Sequence, residues 1–198
     1  MNNYPFVRDP FTVIDGGLST ALELLGADIS GPLWTAQTVI DDPALLERAH
    51  RSFVEAGADI IATASYQCGT KQFEAIGLST KEARDALASM TTIARRAVEG
   101  TSVAVAASVG PFGASLANGS EYNGRYGVEW QIVEDYHREK LAILVDSGAD
   151  LIAIETIPLA DEALLIAEIL EELGAPPAWF QVSRDRTRAW PCRDRCRS

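Results

Sequence analysis

Two patterns alternate along the chain. Short runs of continuous apolar residues are separated by longer stretches whose apolar positions recur at helical spacing. The runs are Thr12–Ile14, Asp59–Ala64, Ser102–Val109, Asp150–Ile154 and Ala178–Val182. Bounded by polar residues and rich in Val, Ile and Ala, they predict five strands, the middle ones buried on both faces. Between them, Ser19–Leu25 predicts a short helix. Asp42-Pro43 opens a second, with Asp at the cap and Pro at the first turn, and Gly57 closes it. Ser79-Thr-Lys-Glu82 is a capping box opening a helix to about Val98. Val128–Ser147 and Leu159–Leu173 complete the set. Gly26 to Thr38 and Gly110 to Gly127 are expected to be loops.

One stretch repeats. Phe53-Val-Glu-Ala-Gly-Ala-Asp-Ile-Ile-Ala-Thr63 resembles Leu144-Val-Asp-Ser-Gly-Ala-Asp-Leu-Ile-Ala-Ile154. Each copy is a helix end, a glycine stop, an aspartate and a buried strand. One further strand and helix lie between the copies, so the period is two βα units. Repeated βα units imply a parallel sheet, either an open doubly wound one or a (β/α)₈ barrel. The turn after the first strand is Asp15-Gly16-Gly17-Leu18-Ser19. It is neither the dinucleotide fingerprint of doubly wound folds nor a Walker loop.

Composition narrows the classes. The 198 residues carry a net charge of −11, with 47% hydrophobic and 23% charged residues, a globular balance. An acidic surface repels nucleic acid and anionic membranes, so neither is expected as a partner. No run is long and apolar enough for a membrane helix, and Met1–Pro10 is no signal peptide. With three cysteines, Cys68, Cys192 and Cys196, the expected compartment is the cytoplasm. Charge is uneven. Residues 181–198 hold six Arg against two Asp, leaving 11 basic and 26 acidic residues in 1–180. Two regions are therefore expected, a folded domain over 1–180 and a basic irregular tail over 181–198. The tail reads as a shifted reading frame, with a disordered basic terminus or a functional basic arm as alternatives.

In either parallel fold, chemistry belongs at the carboxyl ends of the strands. Those ends offer Asp15-Gly16-Gly17, then Thr63, Ser65, Tyr66, Gln67 and Cys68, then Gly110-Pro111, then Glu155-Thr156. A carboxylate ending an apolar strand is costly unless solvated or paired, which makes Asp15 and Glu155 site candidates. Turn capping for Asp15 and a salt bridge for Glu155 are the structural alternatives. Pro111–Gly127 exceeds an ordinary βα connection and suits a lid or wall over a ligand. His50 and His137, in mid-helix, and Cys68 are expected to be interior residues. Cys192 and Cys196 alone make a poor zinc site.

The strand-end segments stand in a recognisable order: Val13-Ile-Asp-Gly-Gly17, Pro32-Leu-Trp34, Gly57-Ala-Asp-Ile-Ile-Ala-Thr63, Ser108-Val-Gly-Pro111, Gly119-Ser-Glu-Tyr122 and Ala153-Ile-Glu-Thr-Ile-Pro158. Together they resemble the homocysteine S-methyltransferases, especially the S-methylmethionine-dependent type, over roughly residues 8–180. The resemblance implies an α/β fold of the (β/α)₈ TIM-barrel family, here its N-terminal part, truncated to about five βα units. It implies a methyltransferase that moves a methyl group from S-methylmethionine or S-adenosylmethionine to homocysteine, giving methionine. Asp15, Gly16, Thr63 and Glu155 match the positions that hold the amino-acid part of homocysteine. The family's zinc is held by three cysteines after the sixth strand and near the eighth, and this chain has no match for them. The expectation is therefore a homocysteine grip without zinc ligands, inactive as it stands, with self-association through open sheet edges. The alternatives are a non-catalytic small-molecule-binding half-barrel completed by another chain and an unrelated doubly wound enzyme.

Overall fold

Apolar strands pair in the order they occur along the chain, the first three of them buried. β1 (Ile60–Ala62), β2 (Ala104–Val109), β3 (Leu151–Ile157) and β4 (Ala178–Val182) form one sheet in the order β1-β2-β3-β4. All three pairings are parallel. The structure is a computed structural model describing residue 7 and residues 10–183. The segment from Arg184 onward, with Cys192 and Cys196, lies outside the described residues.

The expected first strand is reduced to one parallel bridge, Ile14 to Ile60. Val13 and Ile14 remain 42% and 54% exposed, so little burial drives that run into a full ladder. Its place beside β1 still extends the sequential order. A doubly wound sheet reverses its strand order at a switch point. No reversal occurs here, and strand neighbours follow the chain as in the wall of a (β/α) barrel.

Side chains alternate between the two faces of the sheet. Ile60, Ala104, Ala106, Leu151 and Ala153 cluster on one face with Trp179. Ala107, Val109, Ile152 and Ile154 enter the main core with the helices on the other. Ser108 and Glu155 continue the first series by two-residue steps, which turns both toward the helix-free face.

The helices start where local chemistry starts them. The Asp42 carboxylate accepts the Leu45 N–H at 2.9 Å, and Pro43 opens α3 (Pro43–Glu55) behind the short α1 (Leu18–Leu24) and α2 (Gln37–Asp41). Both halves of the Ser79 capping box form: the Ser79 hydroxyl accepts the Glu82 N–H and Glu82 Oε2 accepts the Ser79 N–H. That opens α5 (Thr80–Ala97), which buries Ala83, Leu87, Met90 and Ala94; α4 (Thr70–Ala75) precedes it. Each large apolar side chain buried this way contributes about 1.5–3 kcal/mol. Both expected loops carry short helices, Trp34–Ala36 in 3₁₀ form in one, α6 (Phe112–Ser115) and the 3₁₀ turn Ser120–Tyr122 in the other. α7 (Trp130–Asp146) and α8 (Ala160–Glu172) then flank β3 in sequence.

The internal repeat is structural. Gly57 and Gly148 both adopt left-handed φ, +97° and +80°, where a side chain would be strained. The following aspartates do the same job at the amino ends of their strands. Asp59 bonds Val13 through both backbone and carboxylate, and Asp150 treats Val105 the same way, at 2.7–2.9 Å.

Candidate functional site

The carboxyl ends of the strands enclose a cavity of about 340 Å³, and Asp15, Gly16, Thr63 and Glu155 all line it. Residues 140 positions apart in the chain thus meet, because sequential parallel strands present all their carboxyl ends on one rim. Trp34, Tyr66, Ser108, Tyr122 and Thr156 share the lining.

Asp15 sits where the first segment leaves the sheet. Its N–H donates to the Ile60 carbonyl, and its Oδ2 accepts the Ala62 N–H at 2.8 Å. The carboxyl therefore braces the neighbouring strand while facing the cavity. Burial is the main cause that pushes its pKa up to about 7; the Ala62 amide works against this, and the Glu155 charge adds to it. Glu155 is likewise raised, by burial above all, with the Ser108 hydroxyl that donates to its Oε2 acting in the opposite direction. Among the described residues no Lys or Arg pairs with either group. The salt-bridge alternative for Glu155 is thus not what the structure shows. Two carboxyl groups share a pocket with no counter-charge among the described residues.

An irregularity in β3 accompanies Glu155. The β3–β4 register breaks between Ile154 and Ile157, and Thr156 takes a left-handed φ of +61°. Such bulges re-aim a side chain beside a site, and a β-branched residue at positive φ is strained. Thr63 contributes differently. Its hydroxyl accepts the Ser108 N–H at 3.0 Å and meets Ser65 Oγ at 2.6 Å, while Ser65 donates to the Ser108 carbonyl. That hydroxyl is fully engaged in tying β1 to β2 beneath the cavity. Gly16 packs under Phe53, whose ring would lie 3.3 Å from an added Cβ.

Tyr66, in sequence only one of several polar residues after β1, forms a wall of the site. Its carbonyl accepts both the Gly110 N–H and Lys140 Nζ, at 3.0 and 2.9 Å. A Cβ at Gly110 would lie 2.8 Å from the Tyr66 ring and carbonyl, so only glycine allows that approach. Burial pushes the Tyr66 phenol up to about 12. A second cavity of about 490 Å³ adjoins the first and shares Trp34, Tyr66 and Tyr122 with it. Trp34 holds a left-handed φ of +51° at this boundary.

The remaining candidates are interior groups. His50 and His137 are fully buried. Cys68 is buried and free, donates weakly to the Leu33 carbonyl, and has its thiol pushed up to about 11 by burial. A thiol of that kind is a poor metal ligand, since ligation needs the thiolate. Among the described residues no group of three His, Cys, Asp or Glu could hold a metal. Those residues therefore do not fit a zinc centre. No helix among them is long and apolar enough to cross a membrane.

Fold and cavity define a class: a parallel α/β chain of barrel type with two carboxyl groups lining a cavity at its strand ends. The family described as homocysteine S-methyltransferase matches residues 12–193, and the chain belongs to that family. It is 44% identical to homocysteine S-methyltransferase 2 of Arabidopsis thaliana, over 87% of this chain and 58% of that protein. It is 41% identical to the selenocysteine Se-methyltransferase of Brassica oleracea var. italica, over 87% and 56%. Among solved structures, the metallated form of the Escherichia coli homocysteine methyltransferase MmuM superposes with a TM-score of 0.79 at 36% identity. That match covers 85% of this chain and 62% of the enzyme. The chain thus spans a little over half the length of the curated relatives it matches.

Proposed function

We propose that the cavity binds the amino-acid part of homocysteine, the acceptor in a methyl transfer from S-methylmethionine or S-adenosylmethionine that yields methionine. The pairing of Asp15 with Glu155 in one cavity, with no cation beside them among the described residues, carries this reading. An arriving ammonium supplies a counter-charge and favours the ionised form of groups whose pKa burial raises. The adjoining cavity, walled by Trp34, Tyr66 and Tyr122, suits a cationic donor, because aromatic faces attract cations.

In a family member that holds its zinc, the metal would favour loss of the homocysteine thiol proton. The described residues do not supply that metal site, so the activity proposed for the 198-residue chain alone is binding without turnover, in the cytoplasm. Calorimetric titration with homocysteine tests the reading. Saturable binding that falls at least tenfold in Asp15→Asn and in Glu155→Gln is expected. Binding insensitive to both substitutions, or none, overturns it.

A half-barrel completed by another chain is the second reading. Phe11, Val13 and Ile14 at one side of the sheet, and Phe180 and Val182 in β4, are exposed apolar residues where further strands could pair. Sedimentation across a range of protein concentrations tests it, and a monomer throughout sinks self-association.

A further inference from the structure

The loop between β2 and α7 walls both cavities, since Tyr122 lines each and Glu121 lines the second. Its fixed position has a buried cause on the far side of the sheet. Glu162, in the first turn of α8, is fully buried yet accepts three hydrogen bonds. Its Oε1 takes the Phe112 N–H at 2.7 Å and His137 Nε2 at 2.8 Å, and its Oε2 takes the Tyr126 hydroxyl at 2.5 Å. Phe112 opens the loop and Tyr126 nearly closes it. One carboxylate thus clamps both ends of a long Gly-rich excursion to α7 and α8.

The loop is closely packed and internally hydrogen-bonded around that clamp. Ser120 Oγ donates to the Gly113 carbonyl, and the Gly124 N–H donates to the Ser120 carbonyl. A Cβ at Gly113 would lie 2.6 Å from the Glu121 amide and the Tyr126 ring, and one at Gly124 would lie 2.4 Å from Leu159. The Tyr126 and Phe112 rings pack at 5.5 Å. Residues 159–162 therefore hold the loop at Gly124, Phe112 and Tyr126, a few residues beyond Glu155 in the chain. A buried carboxylate is an expensive way to fill this space, and an apolar side chain of similar size is often at least as stabilising. What the carboxylate supplies is a fixed geometry for three donors from two elements.

We propose that Glu162 is a positioning residue for the binding site: it pins the 110–127 loop as a wall of the cavities and sets ligand affinity without touching ligand. The proposal rests on the homocysteine reading for its affinity arm and on the structure alone for its loop arm.

The test compares the full chain with Glu162→Ala, Glu162→Gln, Tyr126→Phe and the control Ile169→Ala, a core residue of the same helix. Three quantities are read: amide hydrogen exchange across 113–126, homocysteine affinity and thermal midpoint. Glu162→Ala is expected to speed exchange in 113–126 at least tenfold and to weaken homocysteine binding by about tenfold, as for loss of charge-assisted hydrogen bonds. Glu162→Gln keeps the acceptor for Phe112 and His137, and its amide can donate to Tyr126. It should restore both quantities to within about threefold. Tyr126→Phe should shift loop exchange in the same direction by less, and stands in if Glu162→Ala does not fold. Ile169→Ala should lower the midpoint and leave loop exchange and affinity in place. Unchanged loop exchange in Glu162→Ala, or in Tyr126→Phe where the alanine variant fails to fold, overturns the proposal. So does equal loss of affinity in Ile169→Ala. If the wild-type chain binds no homocysteine, the functional reading fails while loop exchange still decides the role of Glu162.

Discussion

Binding at the paired carboxyls should release a proton, and the pH dependence of affinity measures it. Burial, which disfavours its charge, pushes the Asp15 carboxyl up to about 7 from the 3.8 of an ordinary aspartate. A tenfold weaker acid corresponds to about 1.4 kcal/mol, so keeping Asp15 ionised with the cavity empty costs about 4 kcal/mol. Between pH values near 4 and 7 the folded chain binds more protons here than the unfolded chain, so the Asp15 contribution to stability falls as pH rises through that window. Ligand affinity moves the other way. An ammonium needs the carboxylate, and the ionised fraction grows from roughly a tenth at pH 6 to roughly nine-tenths at pH 8. Homocysteine should therefore bind about tenfold more tightly at pH 8 than at pH 6, and lose affinity again at higher pH as its own ammonium gives up its proton. Titration calorimetry in two buffers of different ionisation enthalpy reports the proton directly. About one proton released near pH 6, and almost none near pH 8, is expected of Asp15. Affinity that is flat from pH 6 to 8, or a slope that survives in Asp15→Asn, would refute the argument.

Other outcomes follow from groups around the site. Lys140 is fully buried, and burial lowers its pKa to about 7, so the folded chain binds fewer protons than the unfolded chain from about pH 7 to 10. The wild-type melting temperature, referenced to Lys140→Met, should rise across that range, and a parallel pair of curves would show that burial of the charge is not felt. Gly110→Ala puts a Cβ 2.8 Å from Tyr66 and should destabilise by about 1–3 kcal/mol in urea melts while weakening homocysteine binding. Wild-type stability and affinity would show that the wall can yield. Ser79→Ala removes half of the capping box of α5 and should cost about 1 kcal/mol with affinity unchanged, which denaturant titration checks.

Much of the fold is legible in the sequence because it is local. Asp42-Pro43 and Ser79–Glu82 announce helix starts through hydrogen bonds within four residues, and both form. The middle strands announce themselves by unbroken apolar runs. Thr12–Ile14 misleads because β-branched composition does not reveal how much of a strand its neighbours will cover. α4 escapes a sequence reading because six residues are too few to show a period, and its start relies on Gln72 reaching back to the Gly69 N–H. Asp15 and Glu155 stand out as charges ending apolar runs. Ser108 does not, since a small polar residue within a buried strand looks like any other packing residue. Lys140 and Glu162 are invisible as buried groups, because charges on amphipathic helices ordinarily face water. Only the packing of α7 and α8 against the sheet turns them inward.

The repeated aspartates at the opposite rim have a mechanical meaning. Asp59 and Asp150 each grip one residue of the preceding strand segment by two hydrogen bonds, one from the backbone and one to the side chain. A neighbour that slid by two residues would keep its face of the sheet yet pull its amide out of reach of that carboxylate. Each aspartate therefore works as a ratchet pawl, letting its seam close at one notch only. Thr63, Ser108 and Glu155 can meet at the far rim because the strands beneath them are indexed from this one, so the alignment of the cavity is set at the opposite end of the sheet.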